Sequence, residues 1–166
     1  MIIHDCQDLI LLFNGLFERT ENTVLMGHGD EPLYLPSDEK SPFNRIIFTR
    51  DYFASALHEI AHWCIASKKR RMLVDYGYWY YPEGRNAEQQ KSFEQAEIKP
   101  QALEWVFSHA AGSPFIPSRD NLSEDNNPDS KSFENRIADQ VQHYLSHGLP
   151  ERALQFQEKL LEFYHL

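Results

Sequence analysis

The stretch from Ala54 to Ala66 constrains this chain more than any other. Its only polar side chains are Ser55, His58, Glu59 and His62. An apolar pattern that runs nearly all round a helix marks a buried, central one, so the rest of the chain has to wrap about it. Asp51 stands where an N-cap would. Lys68-Lys69-Arg70-Arg71 suits the negative pole of a helix that ends near Lys69. Three polar side chains buried unpaired in such a helix would cost several kcal/mol, and a bound cation removes that cost.

His58-Glu59-Ile60-Ala61-His62 spells H-E-x-x-H. Residues four apart turn through ~400°, so the two imidazoles project about 40° apart and one turn separated. Two neutral nitrogens so placed can grip one cation at roughly 2.0–2.1 Å. Glu59, about 100° round from His58, can serve as an acid/base or orient the site. A third ligand has to come from elsewhere, and Glu94, Glu97 and Glu104 are the acidic candidates downstream. Glu94 and Glu97 are three apart on one helical face. One of them could bind metal while the other holds a histidine N–H, with Phe93 and Ala96 packing that face inward.

Two other histidine patterns point to structure rather than metal. His143 and His147 are also four apart, but no Glu accompanies them, and they lie at a helix end before Gly148, where the dipole favours a protonated ring. His28-Gly29-Asp30 has the H-x-D spacing of barrel-type iron oxygenases, yet the chain has too few strands for a barrel and the segment reads as a turn.

Around the central helix the sequence predicts a helix-rich α+β domain spanning 1–166 with a small sheet. The stripe Leu9, Leu12, Phe13, Leu16 makes a first, core-facing helix. Gly27-His28-Gly29-Asp30 breaks the chain, and two extended runs follow, Pro32 to Pro36 and Asn44 to Thr49. Val74 to Tyr81 reads as a strand or extended loop closed by the Pro82-Glu83-Gly84 turn. Ala87 to Ile98 reads as a helix that Pro100 ends or kinks before a second stretch, Gln101 to Ala111. Residues 113–130, with three prolines among many Ser, Asn and Asp, read as a long surface loop. Phe133, Ile137, Val141, Tyr144 and Leu145 stripe a helix ended by Gly148, and Pro150 opens a last one faced by Ala153, Phe156, Leu160 and Phe163.

Charge narrows the function classes. Lys and Arg number 16 against 25 Asp and Glu, a net charge of −9, which disfavours phosphate backbones and argues against direct nucleic-acid binding. Met1 to Phe17 holds Asp5 and Asp8 but no Lys or Arg, unlike a signal peptide. No apolar run approaches the ~20 residues that span a bilayer. Two cysteines, Cys6 and Cys64, are too few for a disulfide framework, and a buried, reduced Cys64 fits a cytoplasmic setting. The run Tyr76-Gly77-Tyr78-Trp79-Tyr80-Tyr81 could wall a pocket for an ammonium group through cation–π contacts, with Asp75 or Glu83 as counter-charge.

On motif alone, H-E-x-x-H followed by a Glu suits a zinc peptidase with Glu59 as general base. The same two His and one carboxylate suit a non-heme Fe(II) oxygenase. A non-catalytic, metal-stabilised binding protein is the third reading.

Several ordered motifs then bear on the choice. Asp30-Glu31-Pro32-Leu33-Tyr34-Leu35-Pro36, Asn44-Arg45-Ile46 and the stretch Tyr52 to Cys64 are the first three. Asp75-x-Gly77-Tyr78-Trp79-Tyr80, Pro82-Glu83-Gly84-Arg85, Glu97-Ile98-Lys99-Pro100-Gln101-Ala102-Leu103 and Gly148-x-Pro150-Glu151-Arg152 follow. Together the chain resembles the elongation factor P hydroxylase family over nearly its whole length. The resemblance implies a zincin-like metal-binding central helix and a cytoplasmic enzyme that hydroxylates a lysine of translation elongation factor P already carrying a β-lysyl group. It implies Fe(II), with zinc as another metal the site would accept, and O2 as co-substrate. By position it makes His58, His62 and Glu97 the metal ligands, with Glu94 as the substitute, and Glu59 the proton-handling residue. Asp75, Tyr78, Trp79, Tyr80, Glu83 and Arg85 become candidates for the substrate pocket.

Overall fold

The computed structural model describes residues 2–75, 86–118 and 129–165. It contains five helices, α1 Cys6–Phe17, α2 Phe53–Ile65, α3 Ala87–Ala111, α4 Asp129–His147 and α5 Glu151–Tyr164, and three strands, β1 Thr23–Gly29, β2 Leu33–Leu35 and β3 Asn44–Thr49. The fold is α+β and helix-rich, with a small mixed sheet. Strand β3 is central, parallel to β1 and antiparallel to β2.

Helix α1 starts where Asp5 accepts a hydrogen bond from Gln7 N at 2.9 Å, satisfying an N–H that the helix cannot. It buries Cys6, Leu9, Phe13 and Phe17, one side of a 3.6-residue period. Asn14 then accepts from Leu25 N at 2.8 Å and fixes the helix to β1.

The Gly27-His28-Gly29 segment, expected as a turn, instead ends β1. Pairing with β3 slips between Met26 and Gly29, and His28 sits at φ 65°. The glycines are there for close approach: a Cβ at Gly27 would stand 2.9 Å from Phe48 Cζ, and one at Gly29 2.8 Å from Ile47 Cγ2. Glycine spacing signalled a break, but here it makes an irregular strand end.

Helix α2 is shorter than the apolar pattern implied. Tyr52, not Asp51, occupies the N-cap, without a side-chain hydrogen bond, and the helix stops at Ile65 rather than near Lys69. A long-range contact accounts for the early stop. Arg152 Nη2, from α5, donates to the carbonyls of Trp63, Cys64 and Ala66 at 2.7, 3.0 and 2.9 Å. Its guanidinium lies 4.6 Å from the centre of the Trp63 ring. The last carbonyls that a helix leaves unpaired are thus taken up by a charged donor. Lys68 to Arg71 do not form the helix end. Arg70–Met72 is a separate 3-10 turn, with Arg70 paired to Asp75 and Arg71 to Glu21.

Pro100 neither ends nor visibly divides α3, which runs unbroken for 25 residues. The ring removes one backbone hydrogen bond, but residues on both sides are anchored by burial: Phe93, Glu94 and Glu97 before it, Ala102 and Leu103 after it. A capping box of Asn86 and Gln89 opens the helix, and Gly112 closes it at φ 71°. Of the loop expected over 113–130, residues 119–128 lie outside the described residues, 113–118 belong to no helix or strand, and 129–130 already belong to α4. Leu145 and Phe163, assigned to core stripes, are 61% and 45% exposed. Leu145 lies one position past the buried Tyr144, and Phe163 lies one position before Tyr164, which packs against the core in its place. Pro150 is the N-cap of α5 rather than part of its first turn.

The core is an aromatic chain that reaches the central helix. Phe107 meets Phe156 edge-on at 5.1 Å, Phe156 meets Phe13 at 6.2 Å, and Phe13 meets Trp63 at 5.1 Å. Cys64 is buried and unpaired. Its thiol is pushed up to about 12 by burial, so it stays protonated and inert. No helix among the described residues is long and apolar enough to cross a membrane.

Candidate metal centre

Helices α2 and α3 pack side by side and hold every ligand candidate. On α2, Ala56, Leu57, Ile60 and Ala61 are fully buried. This fixes the helix rotation and turns His58 and His62 toward α3. On α3 a polar seam runs through an otherwise apolar face: Gln90, Glu94, Glu97, Gln101, Glu104 and Ser108 are all buried. They recur at alternating steps of four and three, which is one side of a helix.

His58, His62 and Glu97 converge, and they are the one group of three such ligands that comes together among the described residues. The two Nε2 atoms are 3.1 Å apart, and Glu97 faces each with a different oxygen, Oε2 at 2.8 Å from His62 Nε2 and Oε1 at 3.3 Å from His58 Nε2. Donors at right angles around a cation bound at roughly 2.1 Å would stand ~3.0 Å apart. The three separations fall on either side of that value. Donor chemistry and spacing therefore fit one divalent ion, with two imidazole nitrogens and the Glu97 carboxylate on one side of it.

Burial opposes charge on His58, but Glu97 and Glu104 outweigh it and hold the imidazolium well above the usual histidine range. Burial likewise works against the Glu97 carboxylate, and His58 and His62 hold it well below the usual carboxylate range. Cation and anion face each other, and a metal ion would replace protons in this arrangement.

Glu94 is not brought to the histidines. It is buried about one turn before Glu97 on α3, with Arg136 Nη2 at 3.8 Å. The histidine-holding role expected of the Glu94–Glu97 pair falls instead to Glu104, which accepts from His58 Nδ1 at 2.6 Å. That bond keeps a proton on Nδ1, so that once a metal ion replaces the other proton the Nε2 lone pair faces it together with His62 and Glu97. The seam spacing was the signal: Glu104 is seven residues from Glu97, two turns along the same face. Replacing Glu104 with alanine is expected to weaken divalent-metal affinity about 10–100-fold, measured by competition with a chromogenic chelator. An unchanged affinity would remove Glu104 from the site.

Glu59 and His62 line a cavity of about 460 Å³ between α2, α3 and the sheet, and Tyr34, Arg70, Asp75 and Pro100 also line it. Burial raises the Glu59 carboxyl against the pull of His58 and His62. Asp75 is held at the wall by its backbone, which pairs with Tyr34 at 2.6 and 3.0 Å, and by Arg70 at 3.0 Å. The cavity is thus bipolar rather than simply acidic. Tyr78, Trp79, Tyr80, Glu83 and Arg85 lie outside the described residues. The His143 and His147 rings stack on each other at 4.3 Å on an exposed helix end, and His28 belongs to the irregular end of β1.

A family model described as elongation factor P hydroxylase matches residues 12–166. The chain is 48% identical over 162 residues to an elongation factor P lysine hydroxylase of Haemophilus influenzae, covering 97% of this chain and 90% of that protein.

Proposed function

The chain belongs to the elongation factor P hydroxylase family, and from that membership we propose that it is a cytoplasmic Fe(II)-dependent oxygenase. Its substrate is a lysine of elongation factor P that already carries a β-lysyl group, and O2 is the co-substrate. The observation that carries the metal dependence is the meeting of His58 Nε2, His62 Nε2 and Glu97 within 3.3 Å of one another. His58, His62 and Glu97 would hold the ion. Bound there, Fe(II) supplies the redox chemistry with O2 that oxidation of an unactivated C–H bond requires.

The chain's own groups have separable tasks. Glu104 fixes the tautomer of His58. The cavity receives the extended lysyl side chain and excludes bulk water from the wall formed by His62 and Glu59. Glu59, whose carboxyl is raised by burial, takes up or releases a proton beside the reacting centre. Asp75, anchored by Arg70, offers a carboxylate to an ammonium group of the substrate, and the segment that holds Tyr78, Trp79, Tyr80, Glu83 and Arg85 follows it in the chain.

Protein purified without oxygen, reconstituted with Fe(II) and given β-lysylated factor and a reductant, is expected to consume O2. The factor should gain the mass of one oxygen atom. The zinc-loaded protein is expected to do neither. Cleavage of the factor by the zinc form, with no oxygenated product under any reductant, would replace the oxygenase with a peptidase.

A further inference from the structure

Gln101 lies one turn beyond Glu97 on α3, is 2% exposed, and has no part in the scheme above. Its amide grips the backbone of Ser118 at two points. Gln101 Oε1 accepts from Ser118 N at 2.9 Å, and Gln101 Nε2 donates to Ser118 O at 2.5 Å. This double contact settles which way the amide faces. Turned over, it would set oxygen against the Ser118 carbonyl and NH2 against its N–H. The second hydrogen of the NH2 group is then directed to Glu97 Oε1, 3.4 Å away.

The segment that holds Gln101 in turn is itself laid down along α3. After Gly112 the chain doubles back, with Ser113 N on Ser108 O at 2.9 Å. Phe115 stacks on Trp105 at 5.1 Å and 16°, and Ser118 meets Gln101. The partners on α3 are 108, 105 and 101, one per turn, so the segment runs toward the metal ligands.

We propose that Gln101 is a positioning residue for the metal centre: the Ser118 backbone orients its amide, and the amide N–H2 holds one oxygen of Glu97 so that the carboxylate keeps the orientation that meets His58 and His62. A carboxylate has two oxygens and a free χ3 rotation, and a neutral donor on one of them restricts that rotation without adding charge. The inference rests on the reading of His58, His62 and Glu97 as ligands.

The test uses the metal alone. Co(II) is titrated into the metal-free full chain and followed by its visible absorption bands. The wild type is expected to bind one Co(II), and His58→Ala to lose both binding and bands; equal binding by His58→Ala would sink the metal centre itself. Gln101→Met keeps the volume and removes the donor. It is expected to bind Co(II) about 10–100-fold more weakly and with shifted bands. Phe115→Ala loosens the same segment but leaves the amide in place, and is expected to lower thermal stability while weakening Co(II) binding less than Gln101→Met does. Should Gln101→Met not fold, Gln101→Asn, one methylene too short to reach both partners, carries the same expectation. Wild-type affinity and bands in the folded Gln101 variant, or equal weakening by Phe115→Ala, overturns the role of the amide.

Discussion

Replacing His58 with alanine is expected to give a folded protein that has lost hydroxylation by ~1,000-fold or more, at least about 4 kcal/mol of barrier. His58 sits at the meeting of three interactions, with Glu104 on Nδ1 and with His62 and Glu97 on Nε2. Its loss removes one of the three proposed ligands and frees the other two to reorient. The helix beneath it keeps its packing, because Leu57, Ile60 and Ala61 carry the burial. Circular dichroism with a hydroxylation assay on β-lysylated factor separates the possibilities. An unfolded variant would point to a metal with a structural task only, as in a binding protein. Retained turnover would dismiss the site.

Phe156→Ala is expected to have the largest effect on stability. The ring is fully buried and touches Phe107 from α3 and Phe13 from α1, so no one neighbour can collapse into the space it leaves. Truncating a buried Phe costs about 3–5 kcal/mol. In a chain of this size that lowers the midpoint of thermal unfolding by roughly 10 °C. A calorimetric shift of only one or two degrees would show that α1, α3 and α5 do not share a core through this residue.

The parts of the site legible in the sequence were those set by local periodicity. The i, i+4 spacing of His58 and His62 places both rings on one side of α2 wherever that helix packs. The choice between Glu94 and Glu97 was not legible in this way, because both lie on the inward face of α3. Which one reaches the histidines depends on how far α3 slides along α2, and this is a tertiary quantity. The same reason hid the place of Glu104, a candidate by type, beside His58, and hid Gln101 altogether; their partners are 46 and 17 residues away in sequence.

The fold shows the same division. Apolar patterns located α1, α2, α4 and α5, and α3 was read as two stretches meeting at Pro100, while helix ends were misplaced wherever a distant residue settled the matter. Asp51 had the chemistry of a cap but Tyr52 took the position, and α2 stopped early because Arg152 supplies donors that no local pattern reveals. Pro100 was read by its own preference, which α3 overrides through burial on both sides. Gly27 and Gly29 were read as freedom to turn, when the structure uses their lack of a side chain to admit Phe48 and Ile47.

The reach of Arg152 has a consequence for how the protein comes into being. The carbonyls it satisfies, on Trp63, Cys64 and Ala66, belong to residues made 86 to 89 positions earlier. On the ribosome the central helix therefore emerges long before its closing donor, and a nascent chain that has not yet reached α5 carries a frayed end next to His62. Contacts of this sequence separation form late, so the two imidazoles are held firmly in place only once the final helix has docked.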